Sequence, residues 1–325
     1  MIFASLPPEA AEGAILAHSV KAGARRLRKG TVLGPADCAA LAEAGIGEVV
    51  VARLGPQDVA EDRAAERIGS ALAPDPDALG LTRTAPFTGR LNLYAARDGL
   101  LRVDAAGVGA LNAVHEAVTL ATLEPQTWVR ARQMVATVKI IPYAAPVDAV
   151  AVAEALAAGA AGQGAPLLSV APLARRSAGL VLTQTPGMKD SVLEKGAEAV
   201  HRRLRALGVT LAEQRRVVHE ETALASALDG IAGDMVLILT GSATSDRADV
   251  GPGALRRLGG EILRFGMPVD PGNLLFLGRL AARPVIGLPG CARSPALNGA
   301  DWVLERVAAG RDPDAEEIGA MGVGG

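Results

Sequence analysis

The chain has 325 residues, half of them hydrophobic and 21% charged, with 33 basic and 35 acidic side chains for a formal net charge of −2. That length predicts about two domains, and the apolar share, together with glycines that follow no three-residue period, excludes disordered and collagen-like chains. The near-neutral balance and an aromatic content of 2% leave neither the field nor the stacking surfaces that nucleic acid needs, so no such partner is expected.

Arginine outnumbers lysine 28 to 5, so a single arginine carries little weight as a signal. Cys38 and Cys291 are the only cysteines, too few and too far apart for a disulfide framework or a zinc knuckle, which points to a reducing compartment. The opening MIFASLPPEA lacks the basic-then-apolar pattern of a signal peptide. The most apolar stretch, residues 144–161, carries Asp148 and Glu154 and is too short to span a bilayer. A soluble cytoplasmic protein without membrane contact is expected.

In chain order, Lys29-Gly30 reads as a turn, and Gly34-Pro35 opens a helix that closes at Gly45, with Pro just inside the start and Gly just past the end. A strand over 48–54 and a helix over 58–72 follow, and the prolines of 73–77 predict a linker. Residues 81–170 hold candidate strands at 91–95 and 134–141 and helices near 105–117 and 146–159. From 176 to 312, apolar strands at 179–183, 215–218, 235–239 and 285–288 alternate with helical segments at 189–207, 220–231, 252–258 and 296–309. That alternation predicts an α/β fold: a parallel sheet buried on both faces between two helical layers. The small residues of the end predict a flexible tail, 313–325.

Open α/β sheets bind ligands beyond the carboxyl ends of their strands, so the residues there are the candidates. Thr183-Gln184-Thr185-Pro186-Gly187 follows the first strand and His219-Glu220-Glu221 the second. The longest such run, after Leu239, holds Thr240, Gly241, Ser242, Thr244, Ser245, Asp246 and Asp249. Its glycine permits close backbone approach and its hydroxyls suit a phosphate or other oxyanion, while Asp246 and Asp249 suit Mg²⁺ or a polar ring. An ordinary loop with Asp249 as the cap of the next helix fits equally well. Leu288-Pro289-Gly290, followed by Ser294, is a second anion seat or simply a turn.

Taken together, Thr240-Gly241-Ser242 leading to Asp249, then Asp270-Pro271-Gly272-Asn273, then Gly287-Leu288-Pro289-Gly290-Cys291-Ala292-Arg293-Ser294 resemble the molybdopterin-binding domain of the molybdopterin adenylyltransferase and molybdenumtransferase families, in order and spacing. Lys29-Gly30-Thr31-Val32-Leu33 and residues 44–51 resemble a stretch that precedes this domain in the molybdenumtransferase, so the chain looks like a divergent molybdenumtransferase-like subgroup. The resemblance implies four parts: an N-terminal molybdenumtransferase-like α/β segment 1–75, a middle α+β segment 76–175 of unknown role, a three-layer molybdopterin-binding domain 176–312, and the tail. It implies that Thr240, Gly241, Ser242, Thr244, Ser245, Pro271, Gly272, Asn273, Gly287, Pro289, Gly290 and Ser294 hold the phosphorylated pterin. Asp249, Asp246 and Glu220 would be catalytic, the two aspartates on Mg²⁺. Departures from the family pattern are Ser242 for a second glycine, Asn273 for a lysine, and Cys291-Ala292 for Asn-Pro. An uncharged Asn273 cannot hold phosphate or molybdate as lysine does.

The expected function is therefore binding of molybdopterin or the molybdenum cofactor, in its biosynthesis or delivery to molybdoenzymes. The alternatives are a molybdenum insertase or adenylyltransferase, and a nucleotide-binding module on the same sheet. Molybdoenzymes or other cofactor-biosynthesis proteins are the partners implied, and relatives suggest a homo-oligomer. His18, His115, His201 and His219 show no zinc-ligand spacing. The cluster Arg25, Arg26, Arg28, Lys29 reads as a solvated basic face.

Overall fold

A computed structural model describes residues 1–162 and 166–324; residues 163–165 of the middle segment and Gly325 of the tail lie outside the described residues. The chain divides into two compact units, Met1–Ala171 and Pro172–Gly325. Together they are mixed α/β.

The first unit begins with three antiparallel strands, Ile2–Leu6, Val49–Arg53 and Ile15–Leu16, with Val49–Arg53 in the middle. Their core is Leu16, Leu33, Leu41, Val49 and Val51. Helix Pro35–Glu43 contributes Leu41, and its chain leaves through Gly45 at φ 71°, so the predicted boundaries are observed. A four-stranded antiparallel sheet follows, in the order Val118–Thr122, Met134–Ile140, Arg90–Ala95, Leu81–Arg83. Helix Glu61–Leu72 lays Ala64, Ala65, Ile68 and Leu72 on this sheet, in one core with Leu91, Leu93 and Val138. That spacing is the apolar stripe of an amphipathic helix.

Three expectations are corrected here. The helix expected from residue 58 starts at Glu61, because Asp58–Ala60 forms a strand paired with Ala144–Pro146. The expected linker contains a short helix, Pro76–Leu79, whose first turn is capped by the Asp75 carboxylate. The helix near 105–117 ends at Asn112, whose side-chain amide exchanges two hydrogen bonds with the backbone of Leu120 and so turns the chain back into a strand.

In the second unit the elements are β1 (Ser177–Gln184), α1 (Asp190–Leu207), β2 (Thr210–Val218), α2 (Glu221–Leu228), β3 (Met235–Leu239), α3 (Val250–Arg257), β4 (Glu261–Phe265), β5 (Phe276–Leu280), β6 (Arg283–Leu288), α4 (Gly299–Ala308) and α5 (Ala315–Ala320). The sheet runs β2-β1-β3-β6-β5-β4, with β2, β1, β3 and β6 parallel. Strands β5 and β4 add antiparallel, which corrects the expectation of a wholly parallel sheet. A two-residue turn with Ala281 at φ 53° joins β5 to β6.

Strand β3 is buried throughout, whereas edge strand β2 alternates exposed and half-buried positions. Val181, Val236, Ile238 and Val285 pack under α2 and α3 in one core with Leu224, Leu228 and Leu255. Alternate residues of the same strands point to the other face, where Gly196 of α1 meets the Leu239 side chain. Where a flexible tail was expected, α5 stands, capped by Asp314 and anchored by buried Ile318. Among the described residues no helix is long and apolar enough to cross a membrane.

Candidate functional site

Strands β1 and β3 are neighbours, yet β1 leads into α1 on one face and β3 into α3 on the other. Such a switch point opens a crevice between the departing loops. Strand β4 runs in the direction of β6, being separated from it by antiparallel β5. The segments after β1, β2, β3, β4 and β6 therefore lie at one end of the sheet; of the strand-end residues singled out in the sequence, Thr183 and Gln184 lie within β1 and Gly287 and Leu288 within β6.

The loop after β3 folds largely onto itself. Fully buried Thr183 of β1 accepts the Gly241 N–H at Oγ1, 2.8 Å, and meets His219 Nδ1, also at 2.8 Å. A Cβ on Gly241 would lie 2.7 Å from the Thr183 carbonyl, so this glycine serves the loop's approach to β1. Thr240 turns its buried hydroxyl to the Ser242 carbonyl at 2.7 Å, with Thr244 Oγ1 3.4 Å away and also buried. Ser242, Ser245 and Asp246 remain exposed.

Asp249 caps α3. Its Oδ1 accepts the Val250 N–H at 2.7 Å and its Oδ2 the Ser245 N–H at 3.1 Å. Asp246 likewise accepts the Ala248 N–H at 2.7 Å. Among the described residues no three His, Cys, Asp or Glu side chains stand together as a ready-made metal centre. Each Asp249 oxygen already accepts one backbone N–H, so a Mg²⁺ here would draw most of its ligands from water or a phosphate. Glu220 sits exposed before α2, at the end of edge strand β2 and one strand removed from β3.

The loop after β6 is a single 3-10 turn, Gly290–Arg293. Ser294 Oγ accepts the Ala296 N–H at 3.2 Å, and Pro289 is buried while Gly290 is half-buried. Gly287 faces inward: a Cβ there would stand 1.9 Å from the Phe276 ring, so it belongs to the core and not to a ligand. Pro271 accepts the Gly299 N–H at 2.9 Å, and Gly272, at φ 148°, passes so close to Gly299 that no side chain fits. Asn273 is exposed and accepts the Met267 N–H with its carbonyl at 3.0 Å. Burial pushes the Cys291 thiol up, and the Asp270 carboxylate adds to the rise.

Two arginines with no role assigned from the sequence organise the rim, one of them, Arg293, standing inside the last motif. Arg203 of α1 donates to the carbonyls of Ala292, Ser294 and Ala296 and pairs with Asp301. Arg293 donates to the Thr240 carbonyl and, at 3.3 Å, to that of Gly290, thereby joining the loops after β3 and β6. Burial lowers the Arg293 pKa from the usual arginine value. It lines a cleft of about 380 Å³ with Lys195, Arg202, Glu194, Glu198 and Pro295. The larger clefts, near 500 and 490 Å³, lie in the first unit, around Arg83 and around His115.

A family profile described as a domain of unknown function (DUF8806) matches residues 5–53. No curated protein matches the chain. Among solved structures, the chain is similar to the molybdopterin biosynthesis MoeA protein from Pyrococcus horikosii, with 15% identity over 96% of this chain and 76% of that one and a TM-score of 0.31. It is also similar to a molybdenum cofactor biosynthesis protein from Pyrococcus furiosus, with 14% identity over 96% of this chain and 66% of that one and a TM-score of 0.25.

Proposed function

We propose that the second unit binds molybdopterin, or the molybdenum cofactor built on it, through its phosphate, as a binding or delivery protein and not as a catalyst. The observation that carries this reading is the tie between the loops after β3 and β6: exposed Ser242 and Ser245 and half-buried Gly290 share one rim with a guanidinium, at the switch point of the sheet. The order and spacing of the three motifs of this rim, from Thr240 to Ser294, support a pterin over other phosphorylated guests. Binding without turnover is supported by the aspartates. Asp249 is spent on the α3 cap and Asp246 on its own turn, while Asn273 contributes no charge.

The pterin is cargo in this reading, and its phosphate supplies the negative charge that the rim receives. Ser242, Ser245 and the backbone of Gly290 would hold that group, and the crevice between the loops after β1 and β3 would take the ring. Coexpression with a molybdopterin pathway, followed by purification and oxidation of bound pterin to its fluorescent form, tests the reading. A stoichiometric fluorescent pterin is expected, and an empty protein would overturn it.

A further inference from the structure

Arg203 and Arg293 both donate to carbonyls of the turn after β6, to which Arg293 itself belongs, and they differ in one respect. Arg203 has a carboxylate partner, Asp301, with both side chains largely buried. Among the described residues Arg293 has none. Its two hydrogen bonds go to neutral carbonyls, its Nε is buried with no partner among those residues, and burial alone sets the direction of its pKa. A guanidinium carries five N–H donors, so most of its donor capacity is unused. Arg293 is half-buried, and withdrawing a cation from water without a counter-ion is unfavourable unless something restores the charge balance.

The fold makes room for this side chain. Gly196 of α1 lies where a Cβ would touch Arg293 Cγ at 3.3 Å and Leu239 Cδ2 at 2.9 Å, so the arginine stem runs past a glycine in mid-helix, a position where glycine costs helix stability. Lys195 and Arg202 of the same helix line the adjoining cleft together with Glu194 and Glu198, so Arg293 is the charge of that lining left without an opposite. A tie between two carbonyls needs N–H donors but no positive charge.

We infer that Arg293 is the specificity-determining residue of the rim: it is held, unneutralised, for the oxyanion of the ligand, and makes the site select a phosphorylated guest over the same guest without phosphate. This rests on the binding site proposed above and names the group that decides what enters it. The guanidinium balances the incoming charge, and the fork geometry matches phosphate oxygens better than an ammonium would.

The test uses the full chain with three probes: a fluorescent oxidised molybdopterin, the same compound after phosphatase treatment, and inorganic phosphate. Wild-type protein should bind the phosphorylated pterin at least about tenfold more tightly than its dephosphorylated twin, the scale of one charge-assisted hydrogen bond. Arg293→Gln should weaken binding of the phosphorylated pterin far more than that of its dephosphorylated twin and so shrink the ratio toward one, and Arg293→Lys should keep part of it. Equal loss for both pterins, or an undiminished ratio in Arg293→Gln, would make Arg293 a structural tie and overturn the inference while the pterin site stands. If neither pterin binds the wild type but phosphate raises its melting temperature, and Arg293→Gln abolishes that rise, the pterin reading falls and the oxyanion seat survives. Should Arg293→Gln fail to fold, Arg293→Lys decides: a ratio equal to that of wild type overturns the inference and a reduced one supports it.

Discussion

Arg203 Nε meets the Asp301 carboxylate while the Nη groups of the same guanidinium donate to Ala292, Ser294 and Ala296. One ion pair thus fastens the turn after β6 to both α1 and α4. Asp301 does double duty, because its other oxygen accepts the Asn298 N–H in the capping box of α4. The side chains are 9% and 14% exposed, so solvent screening is weak and removing one partner leaves the other charge stranded. Arg203→Met should therefore destabilise the second unit by about 3 kcal/mol. The double variant Arg203→Met with Asp301→Asn should recover part of that loss. Urea denaturation of the single and double variants checks both, and a strictly additive result would show that the pair is not coupled.

Gly287 and Phe276 are cross-strand partners, and the Phe276 ring packs directly on the Gly287 backbone. The ring fills the space that a methyl group at position 287 would need, with three ring carbons within 2.5 Å of an ideal Cβ, and Phe276 is fully buried. Gly287→Ala should cost about 3 kcal/mol as overpacking. Adding Phe276→Leu should return part of it, which a Gly287 serving only as a turn residue would not allow. Thermal unfolding of the three variants measures this.

Much of the second unit was legible because β1, β3 and β6 are continuous apolar runs, as strands covered on both faces must be. Strands β4 and β5 were not, because Arg264, Gly278 and Arg279 interrupt their apolar runs and the turn at Ala281 carries none of the usual turn residues. At the rim, small residues after strands pointed to loops that share one end of the sheet but not to what each residue does there. Gly241 and Gly287 are small because backbone and ring pack against them, and sequence cannot tell that from room for a ligand. Arg293 was invisible among so many arginines. Only burial and the missing carboxylate set it apart.

Asp249 offers a clean separation between cap and catalyst. Its carboxylate is spent on the N–H groups of Val250 and Ser245, so its loss should act on stability. Asp249→Ala should cost about 1 kcal/mol, the usual worth of an N-cap, while Asp249→Ser and Asp249→Asn, which cap comparably, should lose little. Chemical denaturation together with pterin binding checks this. A residue acting through a metal would show the opposite pattern, with serine no better than alanine for binding and little change in stability.

The two thiols should separate by accessibility and by pH. Cys38 is buried and Cys291 exposed, so under native conditions an alkylating reagent should modify Cys291 alone, with Cys38 reacting only on unfolding. Burial first, then the Asp270 carboxylate, hold the Cys291 thiol above its ordinary value, and the thiolate is the reacting form. Its alkylation at neutral pH should therefore be slower than that of a free thiol and should keep rising past the pH at which a free thiol levels off. Asp270→Asn removes a negative charge that opposes ionisation and should speed the reaction at fixed pH, though only partly, because burial remains. The sign for stability follows from the same shift: the folded state holds the proton more tightly than the unfolded one, so this group's contribution is present below the free thiol's pKa and declines as pH rises through it. Rate-against-pH profiles of the wild type and Asp270→Asn decide the matter, and coincident profiles would remove Asp270 from the account.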